Sequence, residues 1–194
     1  RGQDRLFGHM LDFIFPESLV LDYPWAIQHL PIPERQWRDK DLNFKPDDSF
    51  PKFFVEKINE YKSSCTSSSP ADRLSALASW FKSMASTDGD TLTAMYVDSR
   101  LRRDSDLLQL LTKLLAQAET APVNWQNYLR NGITQINTDL NLVSREDFEV
   151  KGLPASLDSD ALIKFWKGVW DDYSAALKAW PQIRDAAKKT VNSM

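Results

Sequence analysis

From Phe50 onward apolar residues recur at three- and four-residue steps, and the alternation of Val, Ile and Thr that marks strands hardly occurs. That periodicity predicts an all-α protein. The strongest helix start is Ser69-Pro70-Ala71-Asp72. Ser69 can accept from the free N–H groups of a first turn, Pro70 sits where no N–H is needed, and Asp72 can reach back as a capping-box partner. Leu74, Leu77, Trp80, Phe81 and Met84 then share one face, and the Asp88-Gly89 turn pair ends the helix.

Other segments read the same way. Asp48 or Ser49 caps a helix with Phe50, Phe53, Phe54, Ile58 and Tyr61, which a Ser-rich link around Cys65 joins to the next. A short helix from Asp90 to Leu101 is expected, then a separate one capped by Asp104 or Ser105 and carrying Leu107, Leu108, Leu111, Leu114 and Leu115. Trp125, Tyr128, Leu129, Ile133, Ile136 and Leu140 mark a helix from about Val123 to Leu140, in which Gly132 costs about 1 kcal/mol relative to Ala. Ser144 with Asp147 forms a second capping-box pattern. A last long helix begins near Ser156 or Asp158 and presents Leu162, Phe165, Trp166, Val169, Trp170, Tyr173 and Leu177, and Pro181 kinks it or opens a final helix.

Residues 1–48 break this pattern. They hold half of the ten prolines together with Phe7, Leu11, Phe13, Phe15, Trp25 and Trp37. Such proline density rules out one long helix, while the apolar content argues against disorder. The expected architecture is a single bundle of about five to seven helices over 49–194. A Pro-rich aromatic N-terminal arm over 1–48, starting with a helix near residues 3–15, packs on it.

Composition narrows the function. With 24 basic and 27 acidic residues the net charge of −3 excludes a strongly basic nucleic-acid binder. A single cysteine cannot form an internal disulfide, which points to a reducing compartment, here read as the cytoplasm. The apolar runs, none longer than four residues, are too short to span a bilayer.

Chemistry is scarce. His9 and His29 are the only histidines, so with Cys65 they cannot build a Cys/His zinc cluster, and no phosphate-binding glycine loop or nucleophile elbow occurs. No cofactor or metal is expected. Pro46-Asp47 with Glu60-Tyr61-Lys62 copies the letters of a P-D…E-x-K nuclease centre, but its second half falls in a helical pattern where that chemistry needs a strand. Asp171, Asp172 and His29 are the residues a carboxylate-based enzyme would use. Arg100, Arg102 and Arg103 read as a solvated helix end, and Arg184, Lys188 and Lys189 as cations near a helix C-terminus.

Seven Trp and ten Phe are the one compositional excess. Apolar stripes at helical spacing usually fill a core, but Trp is also the residue most enriched at binding hot spots. The sequence therefore points to a non-enzymatic interaction domain, an adaptor, regulator or complex subunit. It would dock a protein partner, a second copy of the chain included, through Trp25, Trp37, Trp166, Trp170 and Trp180. A small-molecule sensor or carrier with an aromatic pocket between helices is the alternative.

Overall fold

A computed structural model of the chain describes residues 2–18, 44, 50–143 and 159–191. Among the described residues the protein is all-α, with six helices and no strand. They are α1 (Gly2–Ile14), α2 (Phe50–Ser64), α3 (Pro70–Ser86), α4 (Gly89–Ala116), α5 (Val123–Val143) and α6 (Ser159–Val191). The Ser144/Asp147 capping pattern and most of the N-terminal arm lie outside the described residues.

Local chemistry sets the helix ends. The Ser69 hydroxyl oxygen accepts from the Asp72 backbone N–H at 3.1 Å with Pro70 in the first turn. The same hydroxyl donates to the Asp72 carboxylate at 2.6 Å. α3 stops at Ser86, where the Thr87 N–H turns back to the Met84 carbonyl at 3.2 Å. Asp88 then starts α4, accepting from the Thr91 backbone N–H at 2.8 Å and the Thr91 hydroxyl at 2.7 Å.

These two bonds, the backbone one first, hold the Asp88 carboxyl below the usual carboxylate range. A depressed folded value contributes stability that is complete above the ordinary carboxylate pKa and is lost as pH falls through the folded value. Asp88→Ala is therefore expected to be less stable than the parent at neutral pH. The two melting temperatures should converge on acidification, and a gap independent of pH would show that the carboxylate's charge plays no part in the cap.

Neither Asp104 nor Pro181 opens a new helix. α4 runs through Asp104, which is buried within the helix and ion-paired one turn back to Arg100, so it caps nothing. α6 likewise continues through Pro181, although that residue has no N–H for the Leu177 carbonyl four residues earlier.

The chain divides into two compact units, with breaks at 17/18, 48/49, 96/97 and 149/150. In the first unit α1 packs on α2 and α3, α3 packs on α6, and the opening turns of α4 join them. Its core is largely aromatic. Phe53 meets Tyr96 at 5.3 Å and Trp166 at 5.9 Å between ring centroids, Phe54 meets Trp170 at 5.0 Å, and Phe81 stacks on Tyr173 at 5.5 Å. Tyr61 lies stacked between Phe13 and Trp80, at 5.4 and 5.3 Å. Polar ties fix the register: Ser174 donates to the Ala78 carbonyl at 2.8 Å, and Arg73 donates to the Phe13 carbonyl at 3.0 Å, satisfying an acceptor at the end of α1.

The second unit holds α4 from residue 97, α5 and Phe44. Leu111, Ala118, Leu129 and Ile136 form its core, flanked by Phe44, Leu107, Leu114, Tyr128 and Ile133. Gly132 has a purpose here that helix propensity does not show. A Cβ at that position would lie 2.9 Å from the Phe44 ring and 3.0 Å from a Leu111 methyl. Gly132→Ala should thus lose stability, because overpacking at about 1–3 kcal/mol outweighs the gain of about 1 kcal/mol in propensity. Urea denaturation decides it, and a more stable variant would mean that Phe44 and Leu111 yield without cost.

Candidate functional site

The five tryptophans singled out in the sequence fall into three groups. Trp25 and Trp37 lie outside the described residues, as does His29. Trp166 and Trp170 are the largest fully buried side chains of the first unit, clamped among Phe53, Phe54 and Tyr96. They fill the interior and present no surface. Trp180 is 52% exposed, and Ile183, one turn further on, is 53% exposed. The structure thus brings Trp166 and Trp170 together within the core and leaves Trp180 alone of the described three on the outside.

The difference follows from helix geometry. At 100° per residue, Trp166, Trp170 and Ser174 point in directions about 40° apart from one to the next, on the buried side of the helix that meets α2, α3 and the start of α4, whereas Trp180 lies about 80° round from Trp170. The apolar arc of α6 is wider than the surface its neighbours cover.

α1 repeats this arrangement. Leu6, Met10, Phe13 and Ile14 are buried, while Phe7, Leu11 and Phe15 remain 55%, 40% and 46% exposed. The exposed three follow one another at four-residue steps, and Phe15, directly after α1, still donates its N–H to the Leu11 carbonyl at 2.8 Å, so they form one ridge along the helix and its end. Beside the ridge are polar fixings: His9 Nδ1 lies 3.1 Å from Asn59 Oδ1, and Lys62 pairs with Asp12. α1 is thereby held to α2 by polar contacts on one side and by core packing on another, and its outer apolar side chains stay in water. Sequence reasoning placed Phe7, Leu11 and Phe15 in an apolar arm without separating the covered from the uncovered face. Their i, i+4, i+8 spacing was the available signal.

The residues considered for catalysis are dispersed. Asp171 and Asp172 lie on the exposed side of α6, and Asp171 pairs with Lys82 of α3. Pro46 and Asp47 are outside the described residues. Glu60-Tyr61-Lys62 ends a helix, with Glu60 on Lys57 at 2.9 Å and Lys62 on Asp12. Cys65 is a half-buried free thiol between α2 and α3. Among the described residues no group of three or more His, Cys, Asp or Glu is placed to hold a metal ion, and no helix is long and apolar enough to cross a membrane.

One polar cluster was not foreseen. Arg100 does not belong to a solvated helix end; it is buried in the middle of α4, 3.6 Å from Asp104 and 4.0 Å from Asp139 of α5. Gln135 donates to the other Asp139 oxygen at 3.0 Å. Arg102 is the solvated member of the group, paired with Asp98 one turn back. The i, i+4 spacing of Arg100 and Asp104 was visible in the sequence, but nothing local places Asp139 opposite them.

No family model, curated protein or solved structure matches the chain.

Proposed function

We propose that the chain is a non-enzymatic protein-interaction domain, an adaptor, regulator or complex subunit. Its partner would be a protein, docked through apolar side chains that the fold leaves in water. The observation that supports this is the ridge of Phe7, Leu11 and Phe15 on α1, beside a core in which other large apolar residues are fully buried. Taking an apolar side chain of that size from full exposure to full burial is worth about 1.5–3 kcal/mol, and about half of that is still to be gained at each of these half-exposed residues. Anchors at i, i+4 and i+8 are the pattern by which an amphipathic helix engages an apolar groove or a second helix. Contiguous exposed apolar ridges on soluble proteins commonly mark interaction sites. Lacking an internal disulfide, the chain is proposed to work in the cytoplasm.

A photo-crosslinking residue at position 11, compared with one at the exposed polar position 106, tests the reading. The expected result is a defined protein adduct at 11 that is absent at 106 and disappears in the Phe7→Ser/Phe15→Ser variant. Equal capture at both positions, or adducts indifferent to the double substitution, would count against docking through α1. Far-UV circular dichroism on the variant confirms that helix content is retained.

A further inference from the structure

The last turns of α6 are uncovered on every side. α3 and α6 run antiparallel, with Ala78 against Ser174 and Lys82 against Asp171, so α3 begins level with about residue 183 of α6. From 181 to 190 every residue of α6 is exposed. The helix nonetheless continues through Pro181, and turns without tertiary packing have only their own sequence to hold them.

That sequence separates into two faces. At about 100° per residue, Ala186, Ala179, Ile183, Ala187 and Trp180 occupy one arc of about 120°, and Arg184, Lys188, Lys178 and Lys189 all fall in the opposite half. Trp180 and Ile183 are each more than half exposed. Among the described residues Trp180 makes no ring contact, and Lys178, Lys188 and Lys189 no ion pair. Arg184 reaches its neighbour Asp185 at 3.5 Å in a pair open to water, which contributes little. Four of the chain's 24 basic residues and one of its 27 acidic residues lie in 178–189, so this stretch stands at +3 in a chain whose net charge is −3.

The placement of the cations decides between kinds of partner. A groove or helix that covered the Trp180 face would leave all four on the far side in water, where they add little to the contact. A bilayer surface uses both faces. A helix about 10 Å across, sunk about 5–10 Å by its apolar face, has its far side among the headgroups, and anionic headgroups meet the cations there. Trp is also a side chain that this boundary favours. We infer that residues 178–190 of α6 form a reversible anchor that lies in the plane of an anionic bilayer surface without crossing it. Each lysine close to such a surface raises affinity about fivefold. With two large apolar side chains besides, half-saturation is expected at accessible lipid on the order of 0.1–1 mM.

Density-gradient flotation of the full chain with vesicles tests it. The protein should bind phosphatidylcholine vesicles containing about 30% phosphatidylserine at least about tenfold more tightly than phosphatidylcholine alone, and raising salt from about 0.1 to 0.5 M should release it. Lys188→Glu/Lys189→Glu and Trp180→Ser/Ile183→Ser should each weaken binding at least about tenfold with helix content unchanged, since all four side chains are exposed. Lipid brominated in its acyl chains, mixed into the same anionic vesicles, should quench the parent's fluorescence more than that of Trp180→Phe, which places Trp180 at the acyl boundary. No flotation with anionic vesicles, equal flotation with neutral ones, binding indifferent to either double variant, or equal quenching of the two proteins would overturn the inference. So would a concentration-dependent dimer that Trp180→Ser/Ile183→Ser dissolves, because a second copy would then occupy the face. None of those outcomes bears on the α1 crosslink, so the two readings fail separately.

Discussion

Replacing Trp170 with alanine is expected to destabilise the protein by about 3–5 kcal/mol, the range for truncating a fully buried large side chain. In a chain of this size that is a fall in melting temperature on the order of 10 °C. The cost comes from where the ring sits. It has no exposed surface and packs against Phe54 at 5.0 Å and Phe53 at 6.2 Å, so its removal opens a cavity that α2 and α6 cannot close without losing their other contacts. Trp170→Phe separates packing from polarity. The Trp170 indole N–H is buried without an acceptor among the described residues, so phenylalanine keeps much of the ring contact and also removes an unsatisfied donor. Its loss should be well under half that of alanine. Thermal unfolding followed by far-UV circular dichroism gives both values. An alanine variant within about 1 kcal/mol of the parent would mean that Trp170 is replaceable surface and not core.

The same residue shows what the sequence could and could not specify. Periodicity placed Trp166, Trp170 and Trp180 on one broad band, and the helix start at Ser69 was readable to the residue, because both depend on spacing within about one turn. Which part of a broad band is covered depends on the neighbouring helix, and that is a tertiary fact. Ser174 bonding to Ala78 and Tyr173 stacking on Phe81 turn one side of α6 toward α3, which leaves Trp180 outside. Gly132 misleads for a related reason: propensity sees a weak helix residue, while the fold uses the missing Cβ to admit Phe44 and Leu111. The expected break at Asp104 is of the same kind. A polar residue ahead of a leucine run reads as a cap when its surroundings are water, and Asp104 is instead enclosed beside Arg100.

That enclosure makes Arg100 the second position of large effect. Arg100→Met is expected to cost about 3–5 kcal/mol, because it leaves Asp104 and Asp139 buried without the guanidinium that faces them both. The expectation concerns the breaking of the cluster, not its net worth. Three charges taken from water pay a desolvation penalty that their mutual attraction only roughly offsets, so an apolar replacement of the whole set should recover most of the loss. The triple variant Arg100→Met/Asp104→Leu/Asp139→Leu is therefore expected within about 1–2 kcal/mol of the parent, and well above the single variant. Urea denaturation of the three proteins at low and high salt completes the test. Burial shields the cluster from counterions, so the gap between single variant and parent should barely change with ionic strength. A single-variant loss below about 1 kcal/mol, or one that salt removes, would mean that water reaches Arg100. A triple variant no better than the single would show that the cluster contributes net stability by linking α4 to α5 through a charge pairing that apolar side chains cannot replace.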